Sequence, residues 1–188
     1  MKTKKKIAVL FPGIGYHTDK PLLYYGKKLA GERGYEIVEI QYGKLPSGVK
    51  GNAEKMREAF MKALRYAAEQ LAETHFTKYD EILFISKSVG TAVAAAYAKE
   101  HDIKARQVYY TPVAESFEAI GQVGIVFHGT ADLWADTKRI KAECKKRNLP
   151  LYITENANHS METGCVEKDL EILSDIMQKT AAYMDERI

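Results

Sequence analysis

Residues able to do chemistry gather in three short stretches of this 188-residue chain. Ser86-Lys87-Ser88-Val89-Gly90 follows an apolar run and leads into a series of small residues. His128-Gly129-Thr130-Ala131-Asp132 follows a second apolar run, and Asn156-Ala157-Asn158-His159-Ser160-Met161 follows a third. A serine hydroxyl is a poor nucleophile until a base takes its proton. A histidine can act as that base, and a carboxylate can hold the histidine in the correct tautomer and stabilise its cation. Ser88, Asp132 and His159 are therefore the parts of a nucleophilic mechanism, provided that the fold brings them together.

The S-x-S-x-G stretch has the setting of a nucleophile elbow, a sharp strand-to-helix turn that pushes a serine hydroxyl outward. The positions two before and two after the nucleophile must be small, because strand and helix approach closely there. Gly90 meets that need, and Ser86 stands where glycine is commonest. Ser88 falls at the apex, whereas Ser86 as nucleophile would put the turn inside the apolar run. The bland alternative is that Ser88 only caps a helix. Asp136 is the rival acid and reads as an exposed helix residue. His128 is the rival histidine, and it precedes Gly129 at a strand end. His17, His75 and His101 read as surface or loop residues, with His17 able to line the site. Lys87 could attract an anion, but its simplest reading is a solvated side chain.

The elements that must position these residues follow from periodicity. A short apolar run and a longer helical pattern alternate about six times, which argues for βαβ units and a parallel sheet. Strands are expected at residues 6–11, 35–42, 81–85, 107–110, 123–127 and 151–154. Helices are expected from a cap at Thr18 or Asp19 to about 32, then at 53–74, 89–99, 135–147 and 166–183. In the second helix Met56, Phe60, Ala63, Leu64, Ala67 and Leu71 share one face. In the last, Val166, Leu170, Leu173, Met177 and Met184 form the expected inner stripe. No linker or longer repeat interrupts the rhythm, so residues 1–188 read as one domain. In open α/β sheets ligands bind beyond the carboxyl ends of the strands, which is where all three chemical stretches fall.

The H-G-x-x-D sequence at 128–132, the S-x-S-x-G turn at 86–90 and the loop histidine His159 together resemble the α/β-hydrolase superfamily, over nearly the whole chain from Ile7 to the last helix. The chain order Ser, Asp, His is also the order of that superfamily. The resemblance implies a three-layer α/β/α sandwich whose six parallel strands run in the order 2-1-3-4-5-6. It implies Ser88, Asp132 and His159 as the catalytic triad and the backbone N–H of Val89 as one oxyanion donor. The second donor comes from the loop after the first strand, at Ile14 or, as a near alternative, Gly15. The family often has His-Gly in that loop, where this chain has Pro12-Gly13.

Composition narrows the rest. The net charge is +3, with 46% hydrophobic and 28% charged residues, an ordinary balance for a globular chain. The basic clusters at 2–6 and 138–147 read as solvated surface. With no zinc-finger spacing or RNP-like motif, nothing points to nucleic acid. The apolar run at 7–11 is too short for a membrane span or a signal-peptide core, so no membrane partner and a cytoplasmic location are expected. Cys144 and Cys165 read as reduced thiols. No metal spacing and no need for an organic cofactor are apparent. Gly13-x-Gly15-x-x-Thr18 has part of a dinucleotide-binding turn, but the third glycine is missing and Gln41 stands where a ribose-binding acid belongs. A catalytically inactive binding domain is the other rival. Only residues 111–122 separate the fourth and fifth strands, too few for a lid. An open site suits small or exposed esters or thioesters, with acyl transfer on the same triad as the alternative. Gly15, Tyr16, Trp134 and Met161, with Ile14, are expected to shape the substrate site.

Overall fold

The computed structural model describes residues 4–186; Lys2, in the N-terminal basic cluster, and both ends of the 1–188 range lie outside the described residues. Six strands carry the site: β1 (Lys6–Phe11), β2 (Tyr35–Glu39), β3 (Glu81–Lys87), β4 (Arg106–Tyr110), β5 (Ile125–Gly129) and β6 (Leu151–Thr154). They are interleaved with α1 (Pro21–Glu32), α2 (Ala53–Leu71), α3 (Val89–Glu100), α4 (Thr137–Arg147) and α5 (Val166–Asp185). All neighbouring strands pair in parallel, in the order β2-β1-β3-β4-β5-β6. The parallel pairing is what the alternation implied, and the order is the one that the resemblance implied.

Side chains of each strand alternate between two cores, as the pleat requires. Ala8, Leu10, Leu83, Ile85, Val108, Tyr110 and Phe127 pack with α1 and α5. Ile7, Val9, Phe11 and Phe84 pack with α2 and α3 on the opposite face. Tyr109 and Val126 meet Ile140 and Cys144 of α4 in a third cluster on that side. Strands covered on both faces read as continuous apolar runs, which is why they were visible in the sequence.

Local chemistry sets the boundaries. The Asn52 side chain accepts the Lys55 N–H at 2.9 Å and starts α2. The Asp136 side chain accepts the Arg139 N–H at 2.8 Å and starts α4 two residues later than expected. The rival acid is thus a helix cap. Neither Thr18 nor Asp19 caps α1; it starts without a side-chain cap at Pro21, whose fixed φ suits the first helical position. β3 extends two residues beyond expectation because Ser86 and Lys87 continue the ladder opposite Tyr109 and Tyr110. β5 starts at Ile125 after Gly124, whose φ of 135° breaks the strand.

The inner face of α5 also differs from the expected stripe. Ile176, Thr180, Tyr183 and Met184 are buried, Leu173 and Met177 are partly buried, and Val166 and Leu170 are 70% and 60% exposed. The helix α5 is seated from Ile172 onward. There it is tied by the Arg106 guanidinium to the Met184 carbonyl at 3.1 Å and by Arg33 to Asp185 at 2.8 Å. In the basic cluster, Arg147 is not simply solvated: its guanidinium donates to the Ile120 carbonyl at 2.8 Å and to that of Phe117. Residues between β4 and β5 hold only a short 3-10 turn, Ala114–Glu118. Cys144 is buried, with its thiol pushed up to about 12 by that burial, and Cys165 is exposed; neither is in a disulfide. Among the described residues no helix is long and apolar enough to cross a membrane.

Candidate active site

At the end of β3 the chain turns sharply into α3. Ser88 sits in the turn with φ 55° and ψ −127°, and its side chain makes no capping bond to the helix. A positive φ on a residue other than glycine is strained and must be held by its surroundings. The Ser88 N–H donates to the Tyr110 carbonyl at 3.0 Å. A Cβ on Gly90 would lie 2.3 Å from the carbonyl oxygens of both Phe11 and Pro12, so only glycine fits. Ser86 is tolerated in the other small position because its buried hydroxyl donates to the Val108 carbonyl at 3.1 Å.

Ser88 Oγ lies 2.8 Å from His159 Nε2, and His159 Nδ1 lies 2.7 Å from Asp132 Oδ2. The other Asp132 oxygen accepts the Trp134 N–H at 2.8 Å. Three loops therefore converge on one line of hydrogen bonds. Gly129 permits this, since a Cβ there would lie 2.2 Å from the Ala157 carbonyl oxygen. The histidine loop has two supports that sequence reading missed. The Thr111 hydroxyl donates to the His159 carbonyl at 3.0 Å. Asn158 Oδ1 accepts the Ser160 and Glu162 N–H groups at 2.7 and 3.1 Å, closing an Asx-type turn. The Asn158-His159-Ser160 spacing was a usable signal for that turn. Thr111 carried none, because with Pro112 it read only as the close of the fourth strand at the start of the connection.

Electrostatics favour a neutral imidazole beside a carboxylate. Burial holds His159 below the usual histidine range; the Asp132 bond opposes this, while Lys87 and Lys50 reinforce it. Burial works against the Asp132 carboxylate, yet its bonds to His159 and Trp134 leave it more acidic than usual. His128 is fully buried beneath Asp132, with Nε2 2.9 Å from the Thr137 hydroxyl and Nδ1 3.9 Å from Asp132 Oδ2. His17 lies on the surface, 3.7 Å from Asp19, and His75 and His101 are exposed.

The loop after β1 folds over the elbow. Gly13 and Tyr16 exchange backbone bonds of 3.1 and 3.3 Å, which puts Ile14 and Gly15 (φ 71°) at the tip. A Cβ on Gly13 would come within 3.0 Å of Ser88 Cβ, so the two turns touch. The amides of Ile14, Gly15 and Val89 have no acceptor among the described residues. Tyr16 and Met161, expected at the substrate, are instead buried in the core shared with α1 and α5. The Tyr16 hydroxyl is turned inward to accept the Leu22 N–H at 3.1 Å.

Beside Ser88 opens a cleft of about 850 Å³. Its apolar lining includes Met56, Phe60, Val89, Val113, Leu133 and Trp134, with Lys50, Arg57, Glu115 and Glu118 among the charged residues. Trp134 stacks on the His159 ring with centroids 5.5 Å apart, and Lys50 Nζ lies 5.4 Å from the Trp134 ring centre. Met56 and Phe60, on the apolar face of α2, thus line the cleft. The wall from Val49 to Ala53 was missed, because its Gly-rich sequence carries no chemical signal. Lys87 is the clearest departure from expectation: it is fully buried, its Nζ has no hydrogen-bond partner among the described residues, and it lies 4.9 Å from the Tyr16 ring centre. Burial pulls its ammonium down to about 7. Among the described residues no group of His, Cys, Asp and Glu side chains is arranged to hold a metal ion.

No protein-family model matches the sequence, and no curated protein matches it. Solved structures do resemble it. A serine α/β hydrolase without a lid from Xanthomonas campestris superposes with a TM-score of 0.63 at 11% identity, covering 100% of this chain and 86% of that one. An esterase from Pyrococcus furiosus gives 0.68 at 12% identity, covering 96% and 82%. Est1E from Butyrivibrio proteoclasticus with ferulic acid bound gives 0.65 at 12% identity, covering 95% and 90%. With its strand order and its elbow, the chain has the fold of the α/β-hydrolase superfamily.

Proposed function

We propose that this protein is a serine hydrolase that cleaves small or exposed carboxylic esters or thioesters through an acyl-enzyme on Ser88. The observation that carries the reading is the line of two short hydrogen bonds from Ser88 Oγ through His159 to Asp132. His159 Nε2 takes the Ser88 proton as Oγ attacks the acyl carbon, then gives it to the departing alcohol or thiol. Water then attacks the acyl-enzyme with the same help. Asp132 keeps the Nδ1 proton in place and stabilises the imidazolium.

The oxyanion that forms at each step needs donors fixed in advance. The Val89 N–H and that of Ile14 or Gly15 are unpaired amides on the two turns that meet at Ser88. The cleft beside Val89 receives the substrate, with Trp134 against the catalytic histidine. The short connection between β4 and β5 adds no lid domain and itself lines the cleft through Val113, Glu115 and Glu118, which supports small or exposed substrates. The esterase and serine hydrolase names among the structural neighbours agree with the reaction class.

An alkyl-fluorophosphonate probe should label Ser88, and Ser88→Ala should abolish labelling. A folded wild-type sample that resists labelling would sink the reading. A panel of p-nitrophenyl esters and matching thioesters should favour short acyl chains; preference for long chains would contradict the open-site argument.

A further inference from the structure

Lys87 precedes the nucleophile in the chain, but its side chain leaves β3 on the other face of the sheet, with Leu83 and Ile85. It is wholly buried, and its Nζ has no hydrogen-bond acceptor among the described residues. An unpaired buried ammonium is costly, and a methionine would fill similar space without that cost. The surroundings show what the cation faces. From the loop after β1 comes the Tyr16 ring, 4.9 Å from Nζ to centroid. From the loop after β5 comes the Asp132 carboxylate, and from the loop after β6 come Glu162 and His159. From β4 comes Tyr110, whose hydroxyl pairs with Thr180 of α5 at 2.9 Å. From α1 the same core receives the apolar Leu22 and Leu23.

We propose that Lys87 is a positioning residue for the Ser88 reaction: its buried ammonium, seated on the Tyr16 ring behind the triad, keeps the His159 imidazole neutral and so able to act as base. The proposal rests on the hydrolase reading. The mechanism is electrostatic. Burial leaves Lys87 titrating at about 7 and His159 below the usual histidine range. As the pH falls, Lys87 therefore takes up its proton first. Its charge then opposes a second proton on His159, through a medium that screens less than water. The imidazole stays neutral to a lower pH than burial and Asp132 alone would allow.

The test compares wild type with Lys87→Met and Lys87→Gln. The His159 ring is titrated by NMR, and kcat/KM for p-nitrophenyl acetate is followed from pH 5 to 9. In the variants the His159 midpoint and the acid limb of kcat/KM should both rise by about one pH unit. The loss in kcat/KM should be several-fold near pH 5.5 and should vanish near pH 8.5, where Lys87 carries no charge. A purely structural role would instead lower the rate equally at every pH, and that result would overturn the proposal. So would an unmoved His159 midpoint in a folded variant. If neither variant folds, the wild type alone decides: the His159 resonances must show a second inflection where Lys87 titrates, and a single inflection sinks the idea. The NMR arms need no turnover. Absence of ester hydrolysis would therefore count against the hydrolase reading without being confused with failure of the charge coupling.

Discussion

The two sides of the β3 terminus treat polar groups in opposite ways. On the cleft side, Ser88, His159 and Asp132 form a line in which the serine hydroxyl, both imidazole nitrogens and both carboxylate oxygens have partners. On the α1/α5 side, Lys87 is sealed into a core with an aromatic face and no acceptor among the described residues. His128 shares this condition in part, since its buried Nδ1, 3.9 Å from Asp132 Oδ2, has no hydrogen-bond partner among the described residues. A satisfied network holds reacting atoms still, whereas an unsatisfied buried charge is kept at the expense of stability. The contrast teaches that one side is built for geometry and the other for potential.

The comparison can be broken most forcefully on the satisfied side. Ser88→Ala should lower kcat/KM for p-nitrophenyl acetate by about 10⁴-fold or more, and Asp132→Asn by about 10³- to 10⁴-fold through loss of the correct tautomer. Steady-state kinetics on folded variants checks both. Gly129→Ala should destabilise the fold by about 3 kcal/mol or more, because its Cβ has no room beside the Ala157 carbonyl. Chemical denaturation should show this, and an unchanged midpoint would mean that the β6–α5 loop is not held as described.

On the unsatisfied side the sign reverses. Lys87→Met should stabilise the protein by about 2 kcal/mol near pH 7. Folding lowers the Lys87 pKa from 10.5 to about 7, so between those values the unfolded chain holds the proton that the folded chain has lost. The gain from Lys87→Met should therefore grow as the pH falls from about 10 to 7 and level off below. Denaturation at several pH values tests it; a loss of stability at all of them would show that the cation is satisfied after all. The depressed His128 and His159 act in the same direction lower down. Wild-type stability should fall as the pH drops through the ordinary histidine range, because the unfolded chain is protonated first. Smaller still, Thr111→Val removes the bond to the His159 carbonyl and should cost about 1 kcal/mol. Leu170→Ser on the exposed part of α5 should stay within about 0.5 kcal/mol, where Ile176→Ala costs about 2 to 4.

Much of the fold was legible because its signals are local. The strands are apolar runs covered on both faces, and β1 and β6 fall at the expected residues. The three chemical stretches were legible for the same reason: each ends a strand, and the sheet carries strand ends to one rim. What the sequence determined by itself was therefore the order of elements and the residues presented at that rim, Ser88, Asp132 and His159. What only the tertiary structure decided was which side chains face inward where local pattern is silent. Lys87 is buried because β3 pairs two residues further along β4 than its apolar run suggests. Tyr16 and Met161 turn into the core because the loops that carry them close over α1 and α5. Val166 and Leu170 stay exposed because α5 meets the core only from Ile172 onward. Burial depends on partners that are distant in the chain, and neither periodicity nor residue type records where those partners stop.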